Sequence, residues 1–525
     1  MGSRSPTIVS VSDHRGAIPT TRANGASARA ASTVVGWHSV STQSFDLAAA
    51  AFTEMVHQGF HPEFPPGSQE QVQHIRSAAP PSLNGHVRDL RSLPWSSIDN
   101  DTSRDLDQIE FAEHVDGGIR VRVGVADVSR SVPKDSPIDK HAAAQTKTVY
   151  TATRNFPMLP NELSTDLTSL NEGQDRAAMI TEFVVDAEGA LHQQSIYRAL
   201  VHNSAQLAYS KVGPWLEGKA GPDPKVAASP ELQAQLRLQD DAARAIHAGR
   251  IREGALEFNR IEADPVVIDG QVHEIKTAQH NRATDLIEDF MVAANETMAE
   301  LMRAARRSCI RRVVRSPQRW PRIVELAGRY GTKLPAEADS AALNEFLSKE
   351  RAADAVHYPD IALAIIKLMG AGEYVVAKGT DTEPLGHFAL AARDYTHSTA
   401  PNRRFADLVN QRLVKAMLDN QPSPYTDEEL TAIAMHCNLQ ESAGVKVERA
   451  MRKRAAAVAL ANSIGRTFRG VVTGASEKGV YVRVFNPPVE GRVMQGGQGL
   501  EVGDIVTVTL LHTDPQRAFI DFKVA

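Results

Sequence analysis

The chain has 525 residues, and at roughly 150 residues per domain this length predicts three or four domains. Its 42% hydrophobic and 23% charged residues exclude a wholly disordered or fibrous protein. The 58 Lys and Arg residues against 63 Asp and Glu residues give a net charge of −5, which excludes a uniformly basic nucleic-acid coat but allows a local basic channel. Two cysteines, Cys309 and Cys437, are too few for a disulfide framework or a four-cysteine zinc site, so we expect a reducing, cytoplasmic location.

Residues 1–35 contain four arginines and a single acid among Ser, Thr and Ala residues. This composition is typical of a flexible tail or of an organellar transit peptide, and we favour the tail. The segment lacks the apolar core of a secretory signal. Because no stretch approaches the ~18 consecutive apolar residues of a membrane helix, no membrane partner is expected.

The predicted elements change character along the chain. Helices at 44–60 and 68–78 form a small module, which turns rich in Pro and Gly delimit. Alternation of Val and Ile with polar residues predicts strands at 106–135, 177–189 and 264–275. Long helices are predicted at 229–251, 283–307, 339–371, 403–419 and 425–463.

The last 60 residues consist of about five short strands separated by Gly and Pro turns, which predicts a small closed barrel. The expected fold class is therefore multidomain α+β, with a mixed sheet surrounded by helices before the barrel. The expected domains are a flexible tail at 1–35, a small helical module with a winged-helix, nucleic-acid-binding option at 36–90, a mixed α+β domain at 91–462 and the barrel at 463–525.

Four aspartates, Asp99, Asp101, Asp105 and Asp107, fall within nine positions of the segment IDNDTSRDLDQIE. Carboxylates this close repel one another, and hard cations such as Mg²⁺ or Mn²⁺ neutralise them. If the segment is extended, Asp105 and Asp107 lie on one side, where they can share a pair of ions. Two ions about 4 Å apart activate a water and stabilise the leaving oxygen of a phosphodiester. From this segment alone, a solvated acidic turn is an equal alternative.

A second cluster, Arg403 and Arg404, follows Pro401 in YTHSTAPNRRFADLVNQR. The proline predicts a helix start, where backbone N–H groups attract anions and arginine binds phosphate bidentately. The alternative for this stretch is a capped surface helix with solvated arginines. Two rings, Tyr150 and Tyr209, could stack on bases at ~1–3 kcal/mol each, although core packing is the alternative for either ring.

These segments together resemble the ribonuclease II / ribonuclease R (RNB) family of 3′→5′ exoribonucleases. The family's D-x-x-x-x-x-D-x-D-D signature appears here as Asp99, Asp105 and Asp107. Further matches are Ala126-Asp127-Val128-Ser129, VYTATRNFPMLPNELSTDLTSL at 149–170, the helix at 287–295, His397 to Leu408 and Val447-Glu448-Arg449. The terminal barrel is similar to the S1 domain, an OB-type RNA binder.

The resemblance implies a monomeric, processive hydrolase that takes single-stranded RNA 3′ end first and releases nucleoside 5′-monophosphates. It implies that Asp99, Asp105 and Asp107 hold Mg²⁺, with Mn²⁺ as a second option. Asp107 matches the position whose loss abolishes catalysis but not binding. Arg403 matches the arginine that stabilises the scissile phosphate.

The resemblance also implies residues that bind RNA. Tyr150 matches the ring that packs on the 3′-terminal nucleotide, and Tyr209 matches a ring that contacts RNA. Glu448 matches a glutamate of the phosphate channel. Arg404 is expected to bind RNA beside Arg403.

Gln108 occupies the place of the family's fourth metal-binding aspartate. An amide oxygen can bind Mg²⁺ but supplies no charge, so a weaker metal site is expected, with Asp101 as a candidate to compensate. The alternative function is therefore an RNA-binding pseudo-nuclease with a disabled metal site. We favour the enzyme because the three aspartates and Arg403 remain.

Three further features differ from the family's pattern. Its S-P-I-R motif has become Ala400-Pro401-Asn402-Arg403, and no ring in Ala263 to Ile268 corresponds to its second base-clamping aromatic. Only about 90 residues precede the acidic motif, fewer than the family's paired cold-shock barrels need.

A helix-turn-helix regulator built on 36–90, which would bind duplex DNA, is a third and weaker hypothesis.

Overall fold

In the computed structural model, the described part of the chain is residues 45–525, apart from gaps at 79–82, 84–85, 259–262, 269–270, 278–279, 355–357 and 477–478. The predicted tail at 1–35 and its targeting alternative lie outside this part. No described helix combines the length and the apolar character that a bilayer crossing requires.

A six-stranded mixed sheet forms the centre of the fold, in the order β1-β6-β2-β3-β4-β5. Its strands are β1 (Val87–Asp89), β2 (Trp95–Asp99), β3 (Gln108–Val115), β4 (Gly118–Ala126), β5 (Asp175–Val185) and β6 (Leu191–Ala208). The long strand β6 runs parallel to β1 and β2 and pairs antiparallel with β5. Strand β6 therefore pairs with β2 at one end of the series β2-β3-β4-β5 and with β5 at its other end.

Two short strand pairs lie outside this sheet. They are the hairpin β7 (Ala263–Ile268) with β8 (Gln271–Thr277), and β9 (Cys309–Val313) with β10 (Glu373–Ala377). The helices are α1 (Leu47–His57), α2 (Ser68–Ser77), α3 (Pro137–Gln145), α4 (Tyr209–Leu216), α5 (Pro224–Ala228), α6 (Pro230–Arg252), α7 (Arg282–Ala304), α8 (Trp320–Arg329), α9 (Ser340–Ala353), α10 (Tyr358–Met369), α11 (Phe405–Leu418) and α12 (Asp427–Leu460).

Different helices cover the two faces of the sheet. On β3, Ile109 packs in one hydrophobic cluster with Leu408 of α11. Ala112 packs in a second cluster with Leu236 of α6 and Phe290 of α7. Odd and even positions of a strand point to opposite faces of the sheet. Ile109 and Ala112 therefore pack against helices on opposite sides of it.

The C-terminal residues form a closed five-stranded barrel in the order β11-β12-β13-β15-β14. Its strands are β11 (Thr467–Ser476), β12 (Gly479–Phe485), β13 (Pro488–Gln495), β14 (Ile505–Asp514) and β15 (Phe519–Val524). Gly491 is required where β13 meets β15, because a Cβ there would lie 2.5 Å from the Ile520 carbonyl oxygen. The α+β fold class, with a mixed-sheet core and an OB-like barrel, is confirmed.

Several predicted elements differ in extent. The strand region at 106–135 is the hairpin of β3 and β4. The helix predicted at 339–371 is two helices, α9 and α10. The 18-residue strand β6 was not predicted, because its burial does not alternate regularly and it pairs with three different strands.

The two N-terminal helices do not share a core of their own. Met55 of α1 packs in a cluster with Val447 and Met451 of α12. Val72 of α2 belongs to the cluster on the α11 face of the sheet. Each of these helices therefore buries its apolar stripe against the main domain.

Candidate functional site

The acidic segment connects β2 to β3, and one buried leucine anchors it. Leu106 is 1% exposed, and its N–H donates to Ser169 Oγ at 2.9 Å. Its carbonyl oxygen accepts from the Leu170 N–H at 3.0 Å. Because the anchor is fixed in the core, the flanking Asp105 and Asp107 are held in place at one cavity.

This cavity, of about 550 Å³, is lined by residues of β2, β3, α4, α7 and the turn before α11. It brings together eight of the nine predicted site residues: Asp99, Asp105, Asp107, Gln108, Tyr150, Tyr209, Arg403 and Arg404. Helix α7 adds Ile287, Glu288, Met291, Val292 and Asn295 to its wall. The acids, the rings and the arginines of distant segments therefore face a common space.

Asp107 is the most deeply buried of the three predicted metal-binding acids and is only 2% exposed. Its carboxylate accepts hydrogen bonds from Arg403 Nε at 3.0 Å and from the Asn402 N–H at 3.2 Å. Burial raises the pKa of Asp107 to about 6; Arg403 opposes this rise, and the charge of Asp105 adds to it. The Arg403 side chain is 43% exposed, so part of its guanidinium remains open to the cavity.

Asp99 ends β2 and accepts hydrogen bonds from Ser103 Oγ and from the Asn100 N–H, both at 2.7 Å. Burial raises the pKa of Asp99, and repulsion from Asp105 contributes to the rise. Asp101 instead accepts a hydrogen bond from Ser210 Oγ at 2.7 Å and is not part of the cavity wall. The structure therefore does not support Asp101 as the substitute for the missing fourth aspartate.

Tyr150 reaches the acidic segment because its own segment pairs with the arginine turn. The Thr148 N–H donates to the Arg403 carbonyl oxygen at 3.0 Å, which places the following residues beside the cavity. Tyr150 Oη donates to Asp105 Oδ2 at 3.0 Å. The hydroxyl of Tyr150 is thus held beside Asp105, and the side chain forms part of the cavity wall.

The turn before α11 is held by hydrogen bonds of its own. Asp407 Oδ1 accepts from the Ala400 N–H at 2.8 Å and from Arg404 Nη2 at 2.7 Å. Asn402 is 0% exposed, and its Oδ1 accepts from Thr168 Oγ1 at 2.6 Å. The Ala-Pro-Asn sequence therefore still fixes the arginines, despite its difference from the family's pattern.

A second cavity, of about 220 Å³, adjoins the first and shares Tyr150, Arg403 and Arg404 with it. Lys147 adds a further cation to its wall. Glu448 of α12 lies outside both cavities and accepts from Lys147 Nζ at 3.0 Å. Of the nine predicted site residues, Glu448 is thus the one that lines neither cavity, although its partner Lys147 lines the second cavity.

The donor chemistry of the first cavity suits a hard divalent cation. Asp99, Asp105, Asp107 and Gln108 supply carboxylate and amide oxygens, which are the ligands of Mg²⁺ and Mn²⁺. Asp105 raises the pKa of both other acids, and a bound cation would relieve this repulsion. Across the described residues, no three His, Cys, Asp or Glu side chains converge tightly enough to form a metal cluster. The residues therefore fit the ion chemically without forming a compact cage.

Sequence reasoning missed Glu110, a fully buried acid two residues after Gln108 on β3, and Asn402, which donates to Asp107. The signal for Glu110 was its spacing, because positions two apart on a strand share a face. The segment Ala263–Ile268, whose sequence contains no aromatic residue, forms β7, and its side chains lie outside the described part of the structure.

A family profile described as the RNB domain matches residues 87–420, well over half of the chain. The chain belongs to the RNB family. A second profile, the RNase II-type exonuclease C-terminal S1 domain, matches residues 466–525, the barrel region. The recognised family and the S1 similarity are therefore confirmed.

Other RNB proteins show how far the likeness extends. Ribonuclease R of Escherichia coli (strain K12) is 27% identical over 497 residues, which cover 88% of this chain and 60% of that protein. The chain thus spans about 60% of this relative's length. Mycoplasma genitalium RNase R in complex with ribose-methylated single-stranded RNA superposes with a TM-score of 0.82 at 23% identity, covering 91% of this chain and 78% of that one.

The yeast pseudonuclease Ssd1 also superposes, with a TM-score of 0.67 at 17% identity, covering 88% of this chain and 58% of that one. At such identities the likeness shows the fold alone. Since this fold occurs in a ribonuclease and in a pseudonuclease, the activity of this RNB chain depends on the residues of its own site.

Proposed function

We propose that the protein is a Mg²⁺-dependent, processive 3′→5′ exoribonuclease that hydrolyses single-stranded RNA to nucleoside 5′-monophosphates. We further propose that it acts as a cytoplasmic monomer. The observation that carries the proposal is the single cavity in which three aspartates, a glutamate, three tyrosines and two arginines meet. This combination suits a phosphodiester held between cations and bases stacked on rings.

The reaction would take place beside Asp107 and Arg403. Asp99, Asp105, Asp107 and the Gln108 amide would hold Mg²⁺, or Mn²⁺ in its place. The bound ions supply an activated water and charge stabilisation for the leaving oxygen. Arg403 uses the open part of its guanidinium to bind the scissile phosphate and to stabilise the charge that develops on it.

The RNA strand would be bound by the rings and the cations around this point. Tyr150 packs on the 3′-terminal nucleotide, and Tyr209 contacts a base. Arg404 and Lys147 line the adjoining cavity, where their charges suit the phosphates of the preceding nucleotides. Glu448 acts through its ion pair with Lys147 by holding that cation in place.

The test is incubation of the purified protein with a 5′-labelled single-stranded RNA of about 30 nucleotides, with Mg²⁺ and then with EDTA. We expect shortening from the 3′ end in Mg²⁺ and an intact RNA in EDTA. Asp107→Asn serves as the inactive control. An intact RNA in Mg²⁺ contradicts the proposal.

The second candidate is an RNA-binding pseudo-nuclease, and Gln108 favours it. This residue lines the cavity among the acids, where it supplies no negative charge. The same incubation distinguishes the two functions. An RNA that stays intact but shifts on a native gel identifies the pseudo-nuclease.

A further inference from the structure

Glu110 is a buried acid that the proposed reaction does not use. It lies on β3 and is 0% exposed. Neither of its carboxylate oxygens has a hydrogen-bond partner within the described part of the chain. An isolated buried carboxylate is unfavourable, so this position calls for a partner that the neighbouring side chains do not supply.

Two more side chains beside Glu110, those of Ser96 and Gln239, also carry a buried oxygen that lacks a hydrogen-bond partner among the described residues. Ser96 on β2 is its cross-strand partner, so both side chains leave the sheet on the same face. Gln239 of α6 packs over this strand and donates from Nε2 to the Glu110 carbonyl oxygen at 3.4 Å. Both residues are 0% exposed, and among the residues described Ser96 Oγ and Gln239 Oε1 have no hydrogen-bond partner.

This oxygen-rich group borders the cavity through β3. Gln108 points to the same face of the strand as Glu110, and Gln108 lines the cavity. Burial raises the pKa of Glu110 well above its usual range, and the negative charge of Asp99 adds to the rise. Tyr209, also on the cavity wall, has its pKa raised by burial and then by the negative charges of Asp99 and Glu110. The buried group and the site therefore belong to one electrostatic environment.

We propose that Glu110, with Ser96 and Gln239, binds a hard divalent cation behind Gln108 and supplies the carboxylate charge that Gln108 lacks. Carboxylate, hydroxyl and amide oxygens form a donor set typical of Mg²⁺ or Mn²⁺. A bound cation would favour the charged form of Glu110, whose carboxylate oxygens accept no hydrogen bond from the described residues. This inference rests on the proposed function, because it extends the cation site of the nuclease.

The test measures Mn²⁺ binding to the full-length, metal-free protein by the electron paramagnetic resonance signal of free Mn²⁺, without RNA. Glu110→Gln keeps the shape and removes the charge, and we expect Mn²⁺ affinity to fall by on the order of tenfold or more. Glu113→Gln, on the same strand but paired with Arg120 at 3.1 Å, is the matched control and should bind as the wild type does. Adding Gln108→Asp to Glu110→Gln should restore binding, because the charge returns two positions away.

Thermal unfolding separates a lost ligand from a lost fold. In EDTA we expect Glu110→Gln to melt at the same temperature as the wild type or higher, because a buried unpaired carboxyl is removed. Mn²⁺ should raise the Tm of the wild type more than that of the variant. Equal Mn²⁺ affinity in the two proteins overturns this inference and leaves the proposed nuclease untouched.

If the wild type binds no Mn²⁺, both this inference and the cation part of the proposed function fail. RNA incubation in EDTA then shows what remains of the function. Cleavage in EDTA would show that the protein is a nuclease that does not require the ion. Intact RNA in both Mg²⁺ and EDTA would contradict the proposed nuclease activity as well.

Discussion

Arg403 donates a hydrogen bond from Nε to Asp107 Oδ2 at 3.0 Å, although 296 positions separate the two residues in the chain. The contact joins the acidic segment after β2 to the turn before α11. It partly offsets the burial of Asp107, whose pKa would rise further without the arginine. In the proposed nuclease, it also holds the phosphate-binding group beside the cation-binding acids.

Replacing Asp107 with Asn should abolish cleavage and leave RNA affinity within a few-fold. The substitution removes a charged ligand, whereas the arginines that bind the phosphates remain. Cleavage of labelled RNA and a filter-binding titration measure the two properties. Asp101→Asn is the control, since Asp101 bonds to Ser210 outside the cavity wall. A parallel loss of affinity and activity in Asp107→Asn would contradict this separation of roles.

Replacing Arg403 with Lys should lower kcat by about 10²–10³-fold, the usual effect of losing one group that stabilises a transition-state charge. Lysine carries the charge but cannot bind Asp107 and a phosphate through a planar fork. Single-turnover cleavage at saturating RNA measures the effect. Arg315→Lys, at a 62% exposed side chain paired with Glu373, should leave kcat unchanged. Equal rates for Arg403→Lys and the wild type would remove the arginine from catalysis.

Replacing Gln108 with Asp should lower the Mg²⁺ concentration at half-maximal cleavage rate several-fold. The new carboxylate adds a charged ligand at a position that already lines the cavity. A Mg²⁺ titration of the cleavage rate measures the change. Gln421→Asp adds the same charge at an exposed position after α11 and should have no effect. An unchanged Mg²⁺ requirement in Gln108→Asp means that residue 108 does not act on the ion.

Replacing Glu296 on α7 with Gln should stabilise the protein at pH 8 but not at pH 5. Burial raises the pKa of Glu296 to about 7, against the opposing effect of Arg250. Its folded-state pKa lies above its unfolded value, so its contribution to stability is present below about pH 4.5 and is lost as the pH rises through 7. The shift corresponds to at most about 3 kcal/mol.

Chemical denaturation of the wild type and Glu296→Gln at both pH values measures this difference. Glutamine does not titrate, so the gain should appear only where the wild-type carboxylate is charged. Glu345→Gln, at an exposed position of α9, should show no dependence of its stability difference on pH. A gain of equal size at pH 5 and pH 8 would assign the effect to packing.

Local patterns in the chain were sufficient for much of the fold. The alternation of Val and Ile predicted strand structure in the region that forms β3 and β4, and regular turns predicted the barrel. The order and spacing of several motifs, the first of them Asp99, Asp105 and Asp107, identified the family. Such features depend on residues close in sequence, which set strand and helix propensity and the positions of turns.

The sequence by itself determined the fold class, the family and the candidate site residues. Only the tertiary structure decided that Asp101 bonds to Ser210, that Glu448 pairs with Lys147, and that Glu110 is fully buried. These outcomes depend on strand register and on helices packed across hundreds of positions, which no local pattern encodes. A side chain's partner is set by what the fold brings within about 3 Å of it, and not by its neighbours along the chain.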